Sequence, residues 1–115
     1  MNTQSCRNKL TEIRDIIEEK HFDILCITES WLKPNGDDAH ISAMCPNTHD
    51  IASFPRIGRS GGGIDFIFRK SLGNPTYSTL NCKSCEAAFF SFSHNVRFNI
   101  SCIYRPPSES IPICF

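Results

Sequence analysis

The chain has no net charge: its 12 Lys and Arg are matched by 12 Asp and Glu over 115 residues. That balance removes the broad basic footprint by which proteins hold nucleic acid through charge alone. No apolar run approaches the ~18 residues a membrane-crossing helix needs. The opening Met1-Asn2-Thr3-Gln4-Ser5 is polar and leads into charged residues, so it does not read as a secretory signal. Internal repeats, low-complexity tracts and a Lys/Arg-rich nuclear signal are also absent from the sequence. What is present points to a folded chain. Hydrophobic residues make up 40% and nine are Phe, more than a disordered segment carries. The length allows one domain with a modest core.

Seven cysteines are many for this length, yet the patterns that would give them a role are missing. An odd count without regular spacing argues against a disulfide framework and against a small secreted Cys-rich protein. Cys82-Lys83-Ser84-Cys85 is a single CxxC, with no second CxxC and no HxxxH pair to complete a zinc shell. It precedes the strand-like Ala87-Ala88-Phe89-Phe90, whereas a thioredoxin-type motif opens a helix. Cys26 and Cys102 lie in apolar runs, where a thiol packs as a small hydrophobe.

The spacing of Leu10, Ile13, Ile16 and Ile17 predicts an amphipathic helix from about Arg7 to Lys20, with Ser5 as its N-cap. Pro34 to Asp38 reads as a turn, and residues 35–50 as polar and irregular. Asp50 to Phe54 reads as a short strand stopped by Pro55. Arg59-Ser60-Gly61-Gly62-Gly63 leads into Ile64 to Arg69, where Ile64, Phe66 and Phe68 alternate. These glycines are not a phosphate loop, because no Lys-Ser or Lys-Thr follows and the next element is a strand. They predict a bend or a close backbone approach. Glu86, Ala88, Phe90 and Phe92 share one parity. After a turn at Ser93-His94-Asn95, Val96, Phe98, Ile100, Cys102 and Tyr104 share another, which predicts a β-hairpin.

Asp23-Ile24-Leu25-Cys26-Ile27-Thr28 predicts a strand covered on both faces, closed by the carboxylate of Glu29. α/β folds place ligands at the mouths of such strands. Glu29 therefore reads either as an acid–base or metal-binding group on a rigid scaffold or as the start of a solvated loop.

In order along the chain, four segments resemble the N-terminal half of an endonuclease/exonuclease/phosphatase domain of the kind carried by LINE-like non-LTR retrotransposons. They are Asn2 to Leu10, Asp23 to Leu32 with its Thr28-Glu29-Ser30-Trp31-Leu32, Ser60 to Leu72, and Ile103-Tyr104-Arg105-Pro106-Pro107. The resemblance covers essentially all 115 residues. It implies a DNase-I-like α/β sandwich: two mixed sheets face to face with helices outside. It also implies phosphodiester hydrolysis of DNA with Mg²⁺ or Mn²⁺. By position, Glu29 would bind the metal and Asn2 would help place metal and phosphate. Tyr104 would approach the scissile phosphate and Arg105 would support it. Arg59, with Arg56, Arg69 and Lys70, would touch the DNA backbone or form an ordinary solvated patch. Tyr104 shares its parity with an apolar face, so a core role stays open for it.

The family's second half supplies an Asp-x-Asn, a further metal-site Asp and a terminal Asp-His, and none occurs in this sequence. Asp65 also departs from the pattern, standing where a small apolar residue is usual. Residues 1–115 are thus expected to be a partial domain with its C-terminal half absent, inactive alone because one Glu without a general base makes a poor hydrolase. Half a sandwich would leave a sheet face uncovered, which predicts self-association. A non-catalytic binding or interaction module derived from the same fold is the alternative. No membrane partner is expected, and the resemblance implies an intracellular, nuclear location.

Overall fold

The computed structural model describes residues 1–6, 8–32, 38–56, 62–82, 85–94 and 96–105. Among the described residues two α-helices, α1 (Leu10–Lys20) and α2 (Asp38–Met44), and a short 3-10 turn (Lys70–Leu72) accompany six strands. These are β1 (Ile24–Thr28), β2 (His49–Phe54), β3 (Ile64–Arg69), β4 (Thr76–Asn81), β5 (Glu86–Phe92) and β6 (Phe98–Tyr104). One sheet has the order β1-β3-β2 and the other β4-β5-β6. All pairs between these strands are antiparallel. Among the described residues parallel pairing enters only as the bridge between Asn2 and Thr28, so the expected mixed character is slight there.

β3 explains why the sheets are layered as they are. Its side chains are buried from Ile64 to Phe68, on alternating faces as a strand requires. Ile67 turns to a helix-side core with Ile13, Ile17, Ile27, Leu32 and Met44. Ile64, Phe66 and Phe68 turn to the second sheet and meet Ala88, Phe90, Phe92 and Cys102. The centre of that interface is Phe66 stacked on Phe90, with centroids 3.7 Å apart and planes 10° from parallel. The predicted hairpin is present, registered from Glu86 opposite Tyr104 to Phe92 opposite Phe98. β1 is covered on both faces as its composition predicts: Leu25 and Ile27 join the first core, Ile24 and Cys26 the second.

Three expectations need correction. Helix α1 starts at Leu10, with Lys9 rather than Ser5 at its N-cap. The preceding residues are drawn along β1 by backbone bonds, Ser5 N–H to Glu29 O at 2.7 Å and Cys6 N–H to Ser30 O at 3.0 Å. The chain is free to coil only after that segment ends. The stretch read as irregular contains α2, whose Met44 is buried and whose Ile41 packs on the helix-side core. Strand β4 was not foreseen. All six of its residues are exposed, and a polar edge strand has no apolar alternation to announce it. Of the turn expected at Pro34 to Asp38, residues 34–37 lie outside the described residues, and Asp38 opens α2 instead.

Cys82 N–H bonds Cys85 O at 3.1 Å, so the CxxC closes the β4–β5 connection. Among the described residues no group of three His, Cys, Asp or Glu side chains gathers to hold a metal. No helix among them is long and apolar enough to cross a membrane.

Candidate functional site

The end of β1 is fixed from two sides. On one side Thr28 N–H bonds Met1 O at 2.8 Å, and Thr3 N–H bonds Thr28 O at 3.0 Å. The Thr3 hydroxyl reaches Glu29 O at 3.0 Å. On the other side Ser30 N–H bonds Gly63 O at 3.4 Å and Trp31 N–H bonds Gly62 O at 2.9 Å. Between these restraints Glu29 and Trp31 take left-handed backbones, φ +54° and +58°. Each such turn costs an L-residue roughly 1–2 kcal/mol, which the flanking bonds offset. The result directs the half-buried Glu29 side chain toward the end of β6.

There the Tyr104 hydroxyl donates a hydrogen bond to Glu29 Oε1. Residues 75 apart in sequence thus meet across the two sheets. Glu29 is half-buried, and Tyr104, buried with the core residues, has its hydroxyl on the Glu29 carboxylate. Burial first, then the bond to Glu29, pushes the Tyr104 phenol up to about 12 from 10.0. The phenol is therefore a neutral donor throughout the physiological range.

A measurable consequence follows. In a Tyr77→Phe background, phenolate absorbance is expected to rise near pH 12 in the folded chain, and Glu29→Gln should lower that midpoint. Because the folded value is raised, the associated stability is full below 10.0 and lost as pH climbs through about 12. A midpoint at the ordinary value in the folded Tyr77→Phe chain would contradict the contact.

Behind this pair lies a second carboxylate that the sequence reading did not assign to the site. Glu86 is buried and stands directly opposite Tyr104 in the β5–β6 register. Its Oε1 accepts from Arg56 Nε at 2.7 Å, and its Oε2 accepts from Gly63 N–H at 3.3 Å. The signal was available. Glu86 shares the parity of Ala88, Phe90 and Phe92, so it had to point inward, where a carboxylate demands a partner. Arg56 was read as a DNA contact or a solvated charge; instead it packs inside against Glu86.

The glycines behave as predicted. A Cβ at Gly62, where φ is +63°, would fall 2.2 Å from Arg56 Nε, and at Gly63, where φ is +91°, 3.0 Å from Ser30 Oγ. Both are close backbone approaches, not a phosphate loop.

The remaining candidates are placed more loosely. Asn2 is held by its backbone bridge to Thr28, next to Glu29 in sequence, with its side chain exposed. Arg105 follows Tyr104 and is exposed. Arg69 is engaged with Asp23, Nε to Oδ1 at 2.7 Å, on the surface. Arg59 lies outside the described residues.

No protein-family model matches the sequence. No curated protein matches it either. Among solved structures, the fold is similar to the crystal structure of the AP endonuclease LMAP from Leishmania major, at 16% identity with a TM-score of 0.60. The match covers 91% of this chain and 38% of that one. The fold is therefore the DNase-I-like α/β sandwich. The chain spans well under half the length of the endonuclease it resembles.

Proposed function

We propose that these 115 residues are the N-terminal half of a metal-dependent DNA endonuclease of LINE-like retrotransposon origin, and that they do not cleave DNA unaided. The observation that carries this reading is the contact between Glu29 and Tyr104. It sets one acidic oxygen and one neutral hydroxyl at the mouth of two facing sheets. The retrotransposon origin rests on the four sequence segments, and the fold likeness supports an endonuclease-type scaffold.

The donor set fits part of a hard-cation site. Glu29 offers carboxylate oxygens and Tyr104 takes only Oε1. Mg²⁺ is commonly held by one or two carboxylates together with waters and substrate phosphate. Bound there, the ion would neutralise phosphodiester charge and stabilise the leaving oxygen. The chain's own residues do the orienting. Tyr104 donates its one hydroxyl proton to Glu29 and so orients the carboxylate; that proton would pass to a phosphate oxygen only if a bound cation took Oε1 from it. Exposed Asn2, bridged to Thr28, and exposed Arg105, next after Tyr104, flank the two residues and would contact the sugar–phosphate backbone, which needs donors but no sequence readout. Arg59 is assigned the same role from the sequence. A nuclear location belongs to this reading. So does self-association through the outer face of β4–β6, where Leu80, Phe89 and Ile103 are exposed.

A plasmid-nicking assay with Mg²⁺ is expected to show no cleavage by the chain alone, while Mn²⁺ binding followed by electron paramagnetic resonance should appear and vanish in Glu29→Gln. Robust nicking abolished by Glu29→Ala would refute the inactivity. Failure to bind Mn²⁺ would refute the site and favour the alternative, a binding module that keeps the scaffold without the chemistry.

A further inference from the structure

We infer that Glu86 and Arg56 form a positioning clamp that holds Glu29 in its left-handed turn through the backbone of Gly62 and Gly63. The inference rests on the proposed site only for its functional meaning; the clamp itself is a matter of geometry. Three links connect the ion pair to the carboxylate. Glu86 Oε2 accepts the Gly63 amide at 3.3 Å. Arg56, bonded to Glu86 Oε1 at 2.7 Å, lies over Gly62 so closely that a Cβ there would have to displace its guanidinium. The carbonyls of Gly62 and Gly63 then accept the amides of Trp31 and Ser30, immediately after Glu29.

The pair's burial argues that it is kept for more than stability. The side chains of Arg56 and Glu86 are only 12% and 8% exposed. A buried ion pair is often no more stabilising than well-packed hydrophobic residues of the same size. What hydrophobic residues could not do here is accept the Gly63 amide while a planar guanidinium covers Gly62. Glu29 and Trp31 sit at backbone angles that persist only where surroundings over-determine them. On the Gly62–Gly63 side, that constraint ends at Glu86. Glu86 is also the register partner of Tyr104, so the residue whose carboxylate holds Gly63 lies beside Tyr104 in the ladder. Groups that orient a ligand in this way typically matter ~10–100-fold for metal affinity.

Amide hydrogen exchange on the full chain tests the clamp directly. In Glu86→Ala, the Ser30 and Trp31 amides are expected to exchange at least about tenfold faster while amides within α1 and β3 keep their rates. The double variant Arg56→Met/Glu86→Leu provides a version that retains packing and stability. It should show the same local loss, which a merely structural role would not produce. Unchanged Ser30 and Trp31 protection in the double variant would overturn the clamp. So would a uniform rise across all amides in it. Mn²⁺ affinity, measured on the same samples, should weaken by about tenfold in the double variant. If the unaltered chain binds no Mn²⁺, the functional reading fails, while the exchange data still decide the clamp.

Discussion

Phe66→Ala is expected to remove a large part of the chain's stability. Phe66 is fully buried and stacks on Phe90 while touching Phe68 and Phe92 within 6.0 Å of centroid separation. It is the side chain through which β3, the central strand of the first sheet, grips the second sheet. Truncating a buried Phe costs about 3–5 kcal/mol, the lost transfer energy plus the void left behind. A domain of this size has ~5–15 kcal/mol in total. The two sheets have no covalent or backbone link at this point, so the void falls where only side-chain packing joins them. Urea unfolding followed by far-UV circular dichroism should place the midpoint of Phe66→Ala far below that of the unaltered chain. Phe89→Ala, on the half-exposed outer face of β5, should shift it by much less. Equal effects at the two positions would mean that the sheets are not joined through this stack.

The same stack shows why the fold was readable in advance. Ile64, Phe66 and Phe68 alternate, and so do Ala88, Phe90 and Phe92. Period-two spacing of large apolar groups makes each segment a strand with one buried face, which a sheet or a helix can cover; that two sheets face each other was implied by the family resemblance. Where the pattern was weak the reading failed. Helix α2 has seven residues, too few to establish a 3.6-residue period, and its anchors Ile41 and Met44 are a single i, i+3 pair. β4 buries nothing and so left no trace. The candidate site divides in the same way. Glu29 was identifiable because a carboxylate ended an uncharged run. Its contact with Tyr104 was not, because a hydrogen bond between residues 75 apart depends on sheet register that local sequence does not specify. Glu86 was identifiable in principle, since its parity placed it inside. The position of the helix start was lost for a different reason. Residues 1–6 are held by backbone bonds to the end of β1 and the turn after it, with Gln4 and Ser5 at positive φ, and those tertiary bonds override the local capping preference of Ser5.

Asp65→Ala is expected to stabilise the chain at neutral pH, the reverse of the usual effect of truncating a core residue. Asp65 is completely buried on β3, between Ile27 and Ser53 in the ladders, on the face that packs toward the helices. Its Oδ1 accepts from the Ser53 hydroxyl. Among the described residues nothing hydrogen-bonds Oδ2. Burial pushes its carboxyl above the usual range; the hydroxyls of Ser53 and Ser30 oppose this only in part. An acid whose folded value is raised binds its proton more tightly when folded. Stability is therefore highest below 3.8, its ordinary value, and falls as pH rises through the folded value. Alanine, close to the small apolar residue expected in this strand, removes the unsatisfied oxygen and the charge together. It leaves only a small void, and exposed Ser53 can turn its hydroxyl to water. Burying a polar group without a partner costs about 1–3 kcal/mol in protein cores, so a gain of about 1–2 kcal/mol at pH 7 is expected after the void is counted. Urea midpoints measured from pH 4 to pH 8 should fall for the unaltered chain and stay nearly level for the variant. A variant that is less stable at neutral pH, or one that keeps the full pH dependence, would show that Asp65 is a satisfied structural residue rather than a strained one.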